Sequence, residues 1–183
     1  MSVFVVSCKV IGQMNDIVVV GVGNSYVSDD GVGCRVLQEL RRILQDKRVA
    51  FLELDIFGLE TLEQLRGFKE AVIVDAAKTG SVPIGCVRSI LPHEISSGPQ
   101  TLSLHTLGLQ STLGLGSMLG LPLPQRVSVL AVEVSDTETF HEGCTPAVEA
   151  AIPDVVDYTV DFLKSRLRDL DYSPKGFAVV RVS

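Results

Sequence analysis

The sequence predicts an α/β protein, a three-layer α/β/α sandwich around a mostly parallel five-stranded sheet. Three observations predict it. Strand-like and helix-like segments alternate in the order β-α-β-α-β-β-α-β-α, the pattern that winds a parallel sheet with helices on both faces. Hydrophobic residues make up 46% of the 183 residues, with a positive mean hydropathy, which fits strands covered on both sides. Asp30, Asp55 and Asp75 each fall just beyond a strand, at the carboxyl ends where open α/β sheets bind ligands.

Taken in order, residues 3–11 read as a short strand of their own, broken by residues 12–16. The apolar run 17–21 is the first strand of the main sheet, and it empties into Gly21-Val22-Gly23-Asn24. A helix over 30–46 follows, with Val32, Val36, Leu37, Leu40, Ile43 and Leu44 at helical spacing. Residues 49–55 form the next strand, 59–65 a short helix stopped by Gly67, and 70–74 a third strand ending at Asp75. After a Thr79-Gly80 turn, residues 85–92 alternate weakly and read as a fourth, antiparallel strand.

The stretch 93–102 is loop chemistry. Ser103 caps a helix from about His105 to Leu119 that carries Gly108, Gly114 and Gly116 and ends at Gly120. Each interior glycine costs about 1 kcal/mol against alanine, so close packing against a neighbouring backbone is expected. A fifth strand over 126–134 ends in Glu133, and a polar loop over 135–144 leads to Thr145-Pro146, an N-cap followed by proline at the first helical position. Val148, Ile152, Val155, Val156, Val160 and Leu163 form the buried stripe of that last helix, which Pro153 is expected to kink. Residues 177–182 read as a final strand whose natural partner is the segment 3–8. The whole chain, 1–183, reads as a single domain.

A net charge of −6, with no basic cluster denser than Arg41-Arg42, excludes a nucleic-acid surface. Cys8, Cys34, Cys86 and Cys144 are scattered, neither a zinc framework nor a disulfide scaffold. No window approaches a membrane helix, and the first apolar stretch is too short for a signal peptide. These features fit a cytoplasmic protein.

Gly21-x-Gly23 lacks the third glycine of a dinucleotide loop, since Tyr26 stands there. The glycines then serve a tight strand-to-helix turn. Helix capping accounts for one of Asp29 and Asp30 but not readily for both. Asp75 by itself is an end-of-strand carboxylate, and His105, one of three histidines, by itself a surface residue. In combination, Asp30, Asp75 and His105 come from three loop regions of one rim. They make an O/O/N set suited to a divalent transition metal such as zinc, nickel or iron. A nucleophilic alternative is His141 with Cys144 ahead of a helix, although no third group orients the histidine. No G-x-S-x-G elbow is present.

The motifs together resemble the hydrogenase maturation proteases, endopeptidases that trim the large subunit of nickel–iron hydrogenases. The resemblance spans residues 16–167, leaving 1–12 and 170–183 as tail segments. It rests on Gly21-Val22-Gly23-Asn24, Ser28-Asp29-Asp30-Gly31-Val32-Gly33, Val72-Ile73-Val74-Asp75-Ala76 and Ser103-Leu104-His105-Thr106-Leu107-Gly108. Glu133 followed by Glu142-Gly143-Cys144-Thr145-Pro146-Ala147-Val148-Glu149 completes it. It implies a phosphorylase/hydrolase-like α/β/α fold and removal of a C-terminal extension from a nickel-loaded large-subunit precursor. Asp30, Asp75 and His105 fall at the nickel-contacting, catalytic positions, the nickel being supplied by the substrate, with no nucleotide. Asp29 or Asp55 is expected to assist as general base, with Gly23 and Asn24 beside them in assistance or substrate recognition. The loop after the second strand departs from the family: many members have Asp-Gly-Gly-Thr where this chain has Asp55-Ile56-Phe57-Gly58. Rival classes on the same ligand set are a metal-dependent hydrolase of a small substrate and a non-catalytic nickel-site chaperone. A monomer without nucleic-acid or membrane partners is expected.

Overall fold

The structure is a computed structural model that describes residues 16–90 and 104–172, without the side chains of 104–107 and 172. The expected strands at 3–11 and 177–182 and the cap at Ser103 lie outside the described residues. The sheet has five strands: β1 (Ile17–Val22), β2 (Val49–Leu54), β3 (Glu70–Ala77), β4 (Val87–Ile90) and β5 (Arg126–Glu133). Their order across the sheet is β2-β1-β3-β5-β4. β1, β2, β3 and β5 are parallel, and β4 runs antiparallel to β5. Helices α1 (Val32–Ile43), α2 (Leu59–Leu65), α3 (Leu104–Met118) and α4 (Pro146–Tyr172) connect or follow them.

Alternate residues of each strand feed two separate aliphatic cores, as the two-residue period of a strand requires. Val19, Val72 and Leu130 face Val36, Leu37 and Leu40 of α1 and Val148, Val155 and Leu163 of α4. Val18, Val20, Ile73 and Val129 face Leu65 of α2 and Leu109 of α3. This is the expected three-layer sandwich. No helix among the described residues is long and apolar enough to cross a membrane.

Two boundaries differ from the sequence reading, and both move a functional carboxylate. The first helix starts at Val32, after a 3-10 turn over Ser28–Gly31 that holds both Asp29 and Asp30. The turn is pulled out of helical register because Ser28 adopts a positive φ of 43°. The Ser28 and Asp29 amides also donate to the His141 and Asp136 carbonyls, at 2.8 and 2.9 Å. Second, β3 does not end before Asp75. It pairs with β5 over its full length, Glu70 with Arg126 through Ala77 with Glu133, so Asp75 lies opposite Ala131 inside the ladder.

Close packing at α1 sets the height of the rim. A Cβ on Gly33 would collide with the carbonyls of Val22 and Val74, so only glycine lets the helix enter directly over β1 and β3. In α3, a Cβ added at Gly108 would meet Phe57 at ordinary contact distances, 3.5 Å from its Cβ and 3.6 Å from its carbonyl oxygen, so the close backbone approach expected of this helix is not required there. Gly116 instead meets the side chains of Leu123 and Leu62, and Gly114 faces open space. α4 continues as one helix across Pro153.

The opposite end of the sheet is pinned by charge. Arg166 of α4 donates from Nε and Nη2 to the two carboxylate oxygens of Glu70, both at 2.8 Å. Glu70, the first residue of β3, is buried, and Arg126 reaches it at 3.6 Å. A two-point contact of this kind fixes geometry as well as charge. Arg166→Ala is expected to lower stability by about 2 kcal/mol, since it leaves a buried carboxylate with one weaker partner. Urea unfolding checks the loss, and the Glu70→Gln/Arg166→Ala pair should lose less than the sum of the two single changes.

Candidate functional site

The site is assembled where β1 turns toward α1. Gly23 sits at φ 128°, and a Cβ there would run into the Asp30 carbonyl. The chain can therefore fold back on itself. The Asn24 amide donates to Asp30 Oδ2 at 2.8 Å, and Asn24 Oδ1 accepts the Tyr26 amide at 3.0 Å. The Asp30 amide in turn donates to the Val27 carbonyl at 2.9 Å. Asn24 thus orients the Asp30 carboxylate, which remains half-buried at the rim.

Asp29 does something different. It is 0% exposed, and its two oxygens serve five donors. Oδ1 accepts the Thr145 amide at 2.6 Å. Oδ2 accepts the Ser135 amide and hydroxyl, the Asp136 amide and the Thr145 hydroxyl, at 3.0–3.2 Å. The expected role as an assisting base does not fit a carboxylate that is closed to solvent and already accepts five hydrogen bonds. Asp29 instead joins the turn before α1, the exit of β5 and the start of α4. It also explains the start of α4. The Thr145 carbonyl accepts the Glu149 amide at 2.9 Å, while the hydroxyl expected to cap the helix is turned to Asp29.

Asp75 is 1% exposed, inside the central strand β3. The 3-10 turn carrying Asp30 packs against β3, so the two carboxylates come from touching elements. Asp55 is exposed one residue past β2, and β2 is drawn to the same loop by the Gly23 amide donating to the Leu54 carbonyl at 3.0 Å. His105 is the second residue of α3; its side chain lies outside the described residues. Among the described residues no group of three or more His, Cys, Asp or Glu side chains is placed to hold a metal ion. The described part of the site thus brings the turn carrying Asp30 against the strand carrying Asp75, with Asp55 one residue past β2.

The sulfur chemistry is suppressed. Cys34 lies beneath the rim, 3.4 Å from the Gly23 carbonyl. Burial first, then the charge of Glu53 and more weakly those of Asp55 and Asp30, push its thiol up to about 11. Cys144 is buried, and burial followed by the charges of Glu149 and Asp29 pushes it up to about 12. His141 is exposed, with Nδ1 3.2 Å from the Gly143 carbonyl. With Cys144 buried and His141 exposed against its own loop, the structure gives the His141–Cys144 alternative no support.

A further carboxylate builds the rim without showing its role in sequence. Glu133 is buried at the end of β5 and accepts the Thr79 and Gly80 amides at 2.7 and 2.6 Å and the Thr79 hydroxyl at 2.5 Å. Arg88 reaches the same hydroxyl at 3.1 Å. Glu133 therefore holds the β3–β4 connection to the sheet. The only signal in sequence is an acid closing an otherwise apolar strand.

Two outcomes follow from this geometry. Asp29→Ala strands three amides and two hydroxyls, and is expected to cost about 3 kcal/mol or more in denaturant unfolding. In a Cys8→Ser background, iodoacetamide at pH 8 is expected to modify one thiol per native chain, the exposed Cys86, with Cys34 and Cys144 reacting only on unfolding, as intact mass will show.

A family model described as hydrogenase maturation protease matches residues 34–161, well over half of the chain. The hydrogenase 2 maturation protease of Escherichia coli is 28% identical over 151 residues, covering 81% of this chain and 90% of that one. A hydrogenase expression/formation protein, HupD, from Thiocapsa roseopersicina is 26% identical over 81% of this chain and 67% of its own length. Among solved structures, the hydrogenase maturating endopeptidase HybD from E. coli superposes with a TM-score of 0.68 at 26% identity, covering 82% of this chain and 93% of that one. A hydrogenase maturation protease from Thermococcus kodakarensis, at 17% identity and a TM-score of 0.60, shares the fold. With a sheet rim carrying Asp30 and Asp75 and a family match across most of its length, the chain belongs to the hydrogenase maturation protease family.

Proposed function

We propose that the protein is a cytoplasmic endopeptidase that removes a C-terminal extension from the large-subunit precursor of a nickel–iron hydrogenase, acting once nickel is seated in that precursor. The observation that carries this reading is that the turn carrying Asp30 packs against β3, the strand that carries Asp75. Two carboxylate oxygens and an imidazole nitrogen suit nickel. The nickel is substrate here, arriving in the precursor and leaving with the product.

In this reading Asp30, Asp75 and His105 contact the nickel and so register the bound precursor against the rim. The ion supplies Lewis-acid polarisation to the peptide carbonyl beside it. Asn24 holds Asp30 in place through its amide, and the β-ladder holds Asp75. The assisting base is Asp55, exposed one residue past β2 and able to accept a proton from water. Gly23 and Asn24 line the same turn, and the departure at Asp55-Ile56-Phe57-Gly58 gives this chain its own precursor preference. The protein acts as a monomer, without a nucleotide.

The test is intact mass of a co-expressed precursor, with and without this protein, in nickel-replete and nickel-starved cells. Loss of a C-terminal peptide only with both protein and nickel is expected. Asp75→Asn and His105→Ala are each expected to slow processing about 100-fold or more, the scale of losing one group that stabilises a transition state. Full processing by both variants would overturn the ligand assignment. Binding with no mass change points to a chaperone, and stoichiometric metal in the purified protein with an untouched precursor points to a small-substrate hydrolase.

A further inference from the structure

The pairing of the strands sets a cation in the same row as Asp75. Ala131 of β5 is registered with Asp75 of β3 on one side and with Arg88 of β4 on the other. All three residues share one face of the sheet. Ile73, Val129 and Ile90, each two residues away on its own strand, pack into the core beneath α2 and α3, and side chains two apart on a strand lie on the same side. Val74, Val132 and Val87 pack into the opposite core. Arg88 is therefore two strand spacings from Asp75, about 10 Å between backbones, on the face covered by the helix that carries His105. In that row only the methyl group of Ala131 stands between them.

The guanidinium leans from β4 across β5 toward the end of β3. Its Nη2 donates to the Thr79 hydroxyl at 3.1 Å and lies 3.8 Å from Glu133 Oε2. Thr79 is four residues beyond Asp75, just past β3. Glu133 already accepts the Thr79 and Gly80 amides and the Thr79 hydroxyl, so it steadies the arginine without depending on it. The Arg88 side chain stays 33% exposed.

Charge decides what this cation can take. With Glu133 beside it and Asp75 along the row, an arriving carboxylate would meet two negative charges for one positive. A neutral oxygen that becomes negative only during reaction avoids that penalty on binding and is stabilised as it reacts. The carbonyl oxygen of a peptide bond undergoing hydrolysis is such a group.

We propose that Arg88 is a catalytic residue, whose guanidinium donates to the carbonyl oxygen of the scissile peptide bond and stabilises the oxyanion formed there. The inference rests on the protease reading and deepens it. Water adds to the carbonyl carbon and gives a proton to Asp55, while the electron pair of the C=O π bond moves onto the oxygen that Arg88 holds. When the oxyanion collapses, the C–N bond breaks and the proton passes from Asp55 to the leaving amine. The substrate's nickel on the Asp75 side and Arg88 on the β4 side share the developing charge.

The test is cleavage of nickel-loaded precursor by the full chain. Arg88→Ala is expected to lower kcat about 100-fold while KM changes less than about threefold. Guanidinium chloride at low, non-denaturing concentration should restore the Arg88→Ala rate about tenfold, and sodium chloride at the same ionic strength should not. Arg88→Met keeps the aliphatic stem and is expected to be as slow as Arg88→Ala, whereas Arg88→Lys keeps stem and charge and should recover most of the rate. An unchanged kcat in Arg88→Met overturns the assignment. So does a rise in KM alone, which makes Arg88 a binding contact. So does a slow Arg88→Ala that guanidinium leaves slow, the mark of a side chain that only supports the Thr79–Glu133 connection. A wild-type chain that leaves nickel-loaded precursor uncut overturns the protease reading and this assignment with it.

Discussion

The rim of this protein depends on one buried carboxylate. Asp29 is closed to solvent, yet it accepts hydrogen bonds from Ser135, Asp136 and Thr145 while its own amide donates to the Asp136 carbonyl at 2.9 Å. Three connections that are distant in sequence meet there. A buried polar group with every partner in place fixes one arrangement, because any other leaves donors unsatisfied in a low-dielectric interior. The turn that presents Asp30 is therefore defined by contacts made more than a hundred residues later. Glu133 acts on the neighbouring edge in the same way, tying the β3–β4 connection to β5. Acid side chains at the carboxyl end of this sheet divide into those saturated by the fold's own donors, Asp29 and Glu133, and those left at the surface, such as Asp55.

That division shows where sequence reading succeeds and where it stops. The alternation of apolar strands and amphipathic helices specified the layers, and Leu59–Leu65 emerges with the expected bounds, because period and punctuation are local properties. Asp75 was harder. An acid after four apolar residues looks like the end of a strand, but β5 runs long enough to keep pairing through Ala77. The partner strand decides where a ladder ends, and its length is not written beside Asp75. The roles of Asp29 and Asp30 were also illegible. Adjacent and chemically identical, they differ only in which donors the fold brings to each, and the donors to Asp29 lie beyond residue 134.

Charge explains why the rim is a carboxylate site and not a thiol one. The same negative field that suits a cation penalises a thiolate, which is also an anion. Glu53, Asp55 and Asp30 raise Cys34 in addition to its burial, and Glu149 and Asp29 do so for Cys144. Reactive cysteines need the opposite surroundings, a nearby cation or an unopposed helix N-terminus. Cys144 does precede the start of α4, but Asp29 takes the Thr145 amide at that approach and brings a negative charge with it. A single substitution at the cysteine cannot undo this, because the suppressing groups are the ones that hold the rim together. The fold surrounds both buried thiols with carboxylates at this end of the sheet, a field that favours a positively charged partner over a thiolate.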